Sequence, residues 1–337
     1  MKHTLAVLAL VLAVPMYAAN YHVDRHIAIG GEGGWDYAAM DETLRRLFVS
    51  HGTEVDVVNV VSGKRVATID KLEGVHGIAL AQDLGRGYIS NGRSSMVTVF
   101  ELSTLNRVAD WKTTGDNPDA ILYERTSHRV FTFNGRGQNA TVFDAKSGAV
   151  VATIPLESRP EFAVTAGDGR VFVNIEDKSE LAEIDAKTAK VVRRWSLAPC
   201  HSPSGLAYDT KHERLFSVCE NKMMVISDAR AGKVVATVPI GEGSDGAAFD
   251  PKNQLAFSSN GADGTITVVR EVTPDKFEVA ATVTTARGAR TIAVDTTSHH
   301  LFVPTAKFGA TPAATPERPR PRPSIEPDTF EVIEVAP

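Results

Sequence analysis

Seven positions carry the residue types most able to do chemistry in this chain: Asp36, His76, Asp119, Glu161, Ser204, Asp245 and Arg290, each a little over forty residues from the next. Five are charged, against the one or two that a chain with 23% charged residues would place there by chance. Asp36, Asp119, Glu161 and Asp245 are expected to oppose His76 and Arg290 across a shared axis, and because four carboxylates brought together repel one another, a site built from them is expected to prefer a metal ion or an amine. Arg290 adds a planar fork that suits either Asp36 next to it or a ligand carboxylate, which would admit a ligand of mixed polarity. The plainer account is that junctions between loop and strand are polar anyway, and that these are turn residues without a ligand.

A second group follows the second strand of each repeat: His51, Asn91, Arg93, Asn134, Arg136, Asn174, Glu176, Glu220, Asn221 and Asn260. Asn91-Gly92, Asn134-Gly135 and Asn260-Gly261 are strong turn signals in their own right. From both groups the ligand-binding set is expected to be Asp36, His76, Asp119, Glu161, Asp245, Arg290, Asn91, Arg93, Asn134 and Glu176. A divalent metal, if held, is expected on His51, His76 and Asp36, two nitrogens and an oxygen. No HxH or HExxH spacing supports it, Ser202-Pro203-Ser204-Gly205 lacks the glycines of a nucleophile elbow, and no CxxCH is present for haem.

What must position these residues is a repeat. A strand centred on a large residue recurs as Leu47-Phe48-Val49, Gly87-Tyr88-Ile89, Val130-Phe131-Thr132, Val171-Phe172-Val173, Leu215-Phe216-Ser217, Leu255-Ala256-Phe257 and Leu301-Phe302-Val303. Short β-branched runs with frequent turn signals indicate antiparallel strands, and four strands per forty to forty-five residues is the period of a β-propeller. The expected fold is all-β: a seven-bladed propeller of four-stranded antiparallel blades over residues 20–337. The seventh copy lacks its fourth strand, while Val23-Asp24-Arg25-His26-Ile27-Ala28-Ile29-Gly30 aligns with the fourth strand of the fifth copy, Val234 to Gly241. The N-terminal strand is therefore expected to close the last blade. A Pro-rich excursion at 304–329, with Pro312, Pro316, Pro319, Pro321 and Pro323, cannot be a central strand and is expected to run as a lid, a partner strap or a passive loop.

In its second strands (Phe172-Val173-Asn174, Phe131-Thr132-Phe133-Asn134) and in Val142-Phe143-Asp144 to Ile154, the repeat resembles the YVTN β-propeller family, the YncE-like proteins. Gly33-Gly34-Trp35-Asp36-Tyr37, Gly74-Val75-His76-Gly77-Ile78-Ala79 and Gly288-Ala289-Arg290-Thr291 look like an exported bacterial subgroup. The resemblance spans nearly all of residues 20–337 and implies the fold, with no reaction attached.

Lys2, the apolar run from Leu5 to Val14, Pro15 and the small Ala18 and Ala19 have the layout of a secretory signal peptide, so residues 1–19 are expected to be removed and the protein to reach the periplasm or the medium. No stretch reaches the roughly 18 apolar residues of a membrane span. Loss of Lys2 takes the formal charge from -5 to -6. That mild acidity argues against nucleic acid as a partner. In an oxidising compartment Cys200 and Cys219, the only cysteines, are expected to pair. The function expected is a monomeric binding or interaction protein that holds a small molecule, a metal or an envelope protein partner at the channel mouth. The alternative is a metal-assisted propeller enzyme, lactonase- or lyase-like, with its site on the axis.

Overall fold

The computed structural model describes residues 20–313, 315 and 323–337. Seven four-stranded antiparallel sheets follow one another along the chain. Each blade begins with an inner strand: Trp35–Asp41, Val75–Ala81, Pro118–Glu124, Pro160–Thr165, Pro203–Asp209, Ser244–Asp250 and, shortest, Ala293–Asp295. Inner strands of neighbouring blades pack on one another, which brings their first residues together around the axis.

The second strands supply the core between blades. Phe48, Tyr88, Phe131, Phe172, Phe216, Phe257 and Phe302 are all fully buried, and each such side chain contributes roughly 1.5–3 kcal/mol through the apolar surface it removes from water. In the sixth blade the large residue in register is Phe257, not Ala256, because strand Leu255–Asn260 starts one residue later than the repeat spacing suggests. Before every second strand one residue takes positive φ: Arg45, Gly85, His128, Gly169, Glu213, Gln254 and His299. In five blades an acid at the end of the inner strand holds that turn: Asp41, Glu124, Asp209, Asp250 and Asp295 each accept a backbone N–H two or three residues on.

The ring closes as the orphan strand requires. His22–Ala28 pairs antiparallel with Glu331–Ala336, the last blade running in the order His22–Ala28, Glu331–Ala336, His300–Thr305, Ala293–Asp295. Arg25 Nε donates to Glu334 Oε2 at 2.6 Å, and the Tyr21 ring meets Phe257 of blade six edge-on at 5.3 Å. Cys200 and Cys219 form a disulfide with Cα atoms 5.5 Å apart. Cys219 lies opposite Pro203, one residue from the Ser204 that hairpin counting indicates.

The base of the Pro-rich excursion is zipped by a bridge between Phe308 and Ile325, and Phe308 packs on Trp35 at 5.9 Å. Residues 1–19, the expected leader, and 314 and 316–322, with Pro316, Pro319 and Pro321, lie outside the described residues. No helix among the described residues is long and apolar enough to cross a membrane.

Candidate functional site at the channel mouth

The inner strands do not start straight. In blades one to six the pairing of inner and second strand slips at the strand's first residues, between Trp35 and Ala38, Val75 and Ile78, Pro118 and Ile121, Pro160 and Ala163, Pro203 and Leu206, and Ser244 and Gly246. A bulge re-aims the side chain it carries. Asp36, His76, Asp119, Glu161, Ser204 and Asp245 occupy these six irregularities, so they belong to the inner strands rather than to the loops before them. Polar residues of the second strands secure them: Ser50 accepts from Tyr37 N at 2.7 Å, Ser90 accepts from Gly77 N at 2.8 Å and donates to Asp119 O at 2.5 Å, and Ser259 donates to Arg290 O at 2.6 Å.

All seven positions line one cavity of about 400 Å³. His76 Nδ1 lies 2.6 Å from Asp36 Oδ2 and 3.8 Å from Asp119 Oδ1. Arg290 ion-pairs with Asp245 through Nη1 and, through Nη2, meets Asp36 Oδ1 at 3.2 Å and Trp35 O at 2.7 Å. The two basic groups therefore sit between acids of adjacent blades, not across the axis from them. With its fork divided among Asp245, Asp36 and Trp35 O, Arg290 is committed to the protein.

This leaves the ring lopsided. Around Asp36 and Asp245 the negative charge is answered from within. Burial would raise the Asp36 carboxyl, but the His76 hydrogen bond and Arg290 outweigh it and hold it below its usual value. Burial likewise opposes charge on His76, and the Asp36 hydrogen bond with the nearby carboxylates wins, raising the imidazole. Burial raises Asp245 despite Arg290. On the side of blades three to five the compensation is weaker. Burial, then repulsion from Asp36, lifts Asp119 to about 6. Burial, then repulsion from Asp119, lifts Glu161 to about 9, so this side chain is protonated at neutral pH. Its nearest cation is the half-exposed Arg159, whose Nε lies 3.0 Å from Glu161 Oε1 and whose Nη1 lies 2.8 Å from Glu176. Glu161 Oε1 is nonetheless buried and accepts no hydrogen bond from the described residues.

Beneath the ring the channel is closed. Tyr37 of blade one and Phe162 of blade four stack across the axis, centroids 5.1 Å apart and planes 16° from parallel. The equivalent residues of four other blades are Gly77, Ala120, Gly205 and Gly246, and a Cβ on Gly77 would come within 2.8 Å of Asp119 O. Small residues let the inner strands converge, and the two aromatics fill the space that remains. Burial, then the charges of Asp119, Asp36, Glu161 and Asp245, keep Tyr37 a neutral phenol. Sequence reasoning missed Tyr37, Phe162 and Arg159, although two large rings at a position otherwise small in most copies were the available signal.

Other expected site residues lie elsewhere. Asn91 and Asn134 are buried and turn into their own blades, bonding Thr98 at 3.0 Å and Thr141 at 3.0 Å; they serve the turn, as Asn260 does with Thr267. Arg93 lines a neighbouring hollow of about 410 Å³ with His76, Asp116 and Arg136. Glu176 stays at the rim through Arg159. His51 does not join Asp36 and His76: it is buried under Phe330, ring centroids 4.0 Å apart, with Nδ1 3.0 Å from Asp56 Oδ2, because it ends its strand beside the closing blade. Asp119 takes its place, and Asp36, His76 and Asp119 each offer a ligand atom within 4.8 Å of the others.

No family model matches the chain, and no curated protein matches it significantly. Among solved structures it resembles the hydrazine synthase of Kuenenia stuttgartiensis (17% identity, TM-score 0.69, covering 80% of this chain and 92% of that one). It also resembles U3-55K (9%, 0.76, 92% and 97%) and the WD40 repeats of RRP9 (10%, 0.77, 92% and 97%). At these identities the likeness is one of fold.

Proposed function

We propose that this is an exported, YVTN-type propeller that binds a small cationic ligand, an amine above all, in the cup at the channel mouth. The observation that carries this reading is the under-compensated pair Asp119 and Glu161, raised by burial and mutual repulsion despite His76 and the half-exposed Arg159. A carboxyl driven to about 9 in a polar cavity, with an oxygen that accepts no hydrogen bond, is poised to accept a positive group. The ligand's cation sits between Asp119, Glu161 and Ser204, above the Tyr37 and Phe162 rings that floor the cup. Because Arg290 is fully engaged, a ligand carboxylate gains less here than the sequence suggests. Export to the periplasm is supported by the disulfide, which an oxidising compartment preserves.

A second reading is a divalent metal on Asp36, His76 and Asp119, which would make the cup a Lewis-acid site of the lactonase or lyase kind. It requires His76 to surrender the proton that Asp36 and Asp119 favour. Calorimetric titration of the protein with primary and quaternary amines, and separately with Zn²⁺ and Mn²⁺, tests both. Amine binding lost in Glu161→Gln supports the first reading. Zinc binding lost in His76→Ala, with no amine bound, replaces it with the second.

A further inference from the structure

At the opposite end of the propeller a second cluster breaks the repeat. The same backbone bond to the residue that precedes the second strand recurs in six blades, from the residue just after the third strand in five and from within the longer third strand of blade six: Val60, Leu102, Ala145, Ala186, Ala229 and Glu271 each donate N–H to it. Five of the six are buried apolar residues. The sixth is a glutamate, only 3% exposed. It arrives there on the longest hairpin of the molecule, Thr265–Thr273 with Lys276–Thr284, whose tip Arg214 grips through Pro274 O at 2.5 Å and Asp275 Oδ1 at 2.9 Å. This carries Glu271 of blade six over the first turn of blade five.

Two further ligand types meet it there. His212 Nδ1 lies 2.9 Å from Glu271 Oε1 and 2.7 Å from Asp209 Oδ2. Close as they are, neither Glu271 oxygen nor His212 Nδ1 completes a well-directed hydrogen bond with a described residue, and Asp209, the acid nearest Glu271, raises its carboxyl rather than stabilising its charge. A buried carboxylate without hydrogen bonds is a costly thing to keep, and the apolar residues of five sister blades show that the fold does not need one here. Burial, then the Asp209 charge, raise the Glu271 carboxyl. The imidazole is partly exposed and opens the cluster to solvent.

We infer that Asp209, His212 and Glu271 form a divalent transition-metal site at the joint between blades five and six, suited to Zn²⁺ or Mn²⁺. Two carboxylate oxygens and one imidazole nitrogen are the donors such ions take. Three atoms spaced at hydrogen-bond distance without bonding one another can share one ion at about 2.1 Å, leaving the solvent side for water. Binding ties the long hairpin of blade six to the turn of blade five. The role is to staple, since the donors come from the turn of blade five and from the long hairpin of blade six.

The test uses chelator-treated full-length protein, with Zn²⁺ and Mn²⁺ as separate probes, metal content measured after gel filtration and Tm with and without metal. One equivalent of one of these ions should be retained and raise Tm. Glu271→Gln and His212→Ala should each weaken binding at least about tenfold, whereas Asp119→Asn and Glu161→Gln at the mouth should leave it unchanged. Glu271→Ala, which copies Ala145, Ala186 and Ala229, should fold, raise the Tm of the metal-free protein and abolish the metal response. Retention of neither ion by the parent protein overturns the inference, as does binding that survives in both Glu271→Ala and His212→Ala.

Discussion

His76 Nδ1 lies 2.6 Å from Asp36 Oδ2 and 3.8 Å from Asp119 Oδ1, so one imidazole of blade two serves the carboxylates of blades one and three. As an imidazolium it is a competing cation within the cup. His76→Ala should therefore tighten amine binding, by up to about tenfold, or about 1.4 kcal/mol. If His76 instead ligates a metal, the same change should abolish metal binding. Calorimetry on this one variant separates the two, and weaker amine binding would contradict the assignment of His76 as an internal counter-ion.

The pH dependence follows from Glu161 and Asp119. Their ligand-free values are raised to about 9 and about 6, and a bound cation lowers both, so binding releases protons. Affinity for an amine that stays charged should rise from pH 6 to pH 9. The ligand-free protein should behave in the opposite sense. A carboxyl raised from its usual 4.5 to about 9 favours the folded state while protonated, and that advantage is lost as pH climbs from about 4.5 through 9. Thermal melts across this range should show Tm falling, and Glu161→Gln should reduce the slope without abolishing it, because Asp119 and Glu271, raised to about 6 and about 8, act in the same sense.

Closure by the N-terminal strand predicts a large effect from a small deletion. Without residues 20–30, strand Glu331–Ala336 loses its partner and the contact of Tyr21 with Phe257 is gone. Tm should fall by roughly 10 °C, corresponding to about 7 kcal/mol for a chain of this size. An unchanged melt would mean that the ring closes without this strand.

The disulfide spans nineteen residues, a loop whose cross-link contributes about 3 kcal/mol through the unfolded chain. Replacing Cys200 and Cys219 together by Ser should lower Tm by roughly 4–5 °C while leaving amine binding in place. The free thiols of unreduced, denatured parent protein should number none.

Much of this molecule was legible because repeats compare themselves. The Phe and Tyr of each second strand marked the blades, the missing strand of blade seven matched the orphan at the start, and the first residues of the inner strands came out as one ring. Pairing within the ring was not legible, since it depends on which blades are neighbours and on side-chain reach: His76 and Arg290 looked like residues opposing the acids and proved to sit between them. Asn91 and Asn134 misled because an asparagine that serves its own turn and one that faces a ligand look the same in sequence. Glu271 escaped notice for the opposite reason. It is one departure from an apolar column that can be read only once the blades are aligned atom by atom.

The most direct test of the account is the affinity of a small panel of primary and quaternary amines for the parent protein and for the Asp119→Asn, Glu161→Gln double variant, by calorimetry at pH 8. The account predicts that at least one amine binds the parent with a Kd below about 1 mM, a free energy of about -4 kcal/mol, and that the double variant weakens it at least tenfold with little change in Tm. Equal affinity in the two proteins, or a preference for anions over amines, would contradict it.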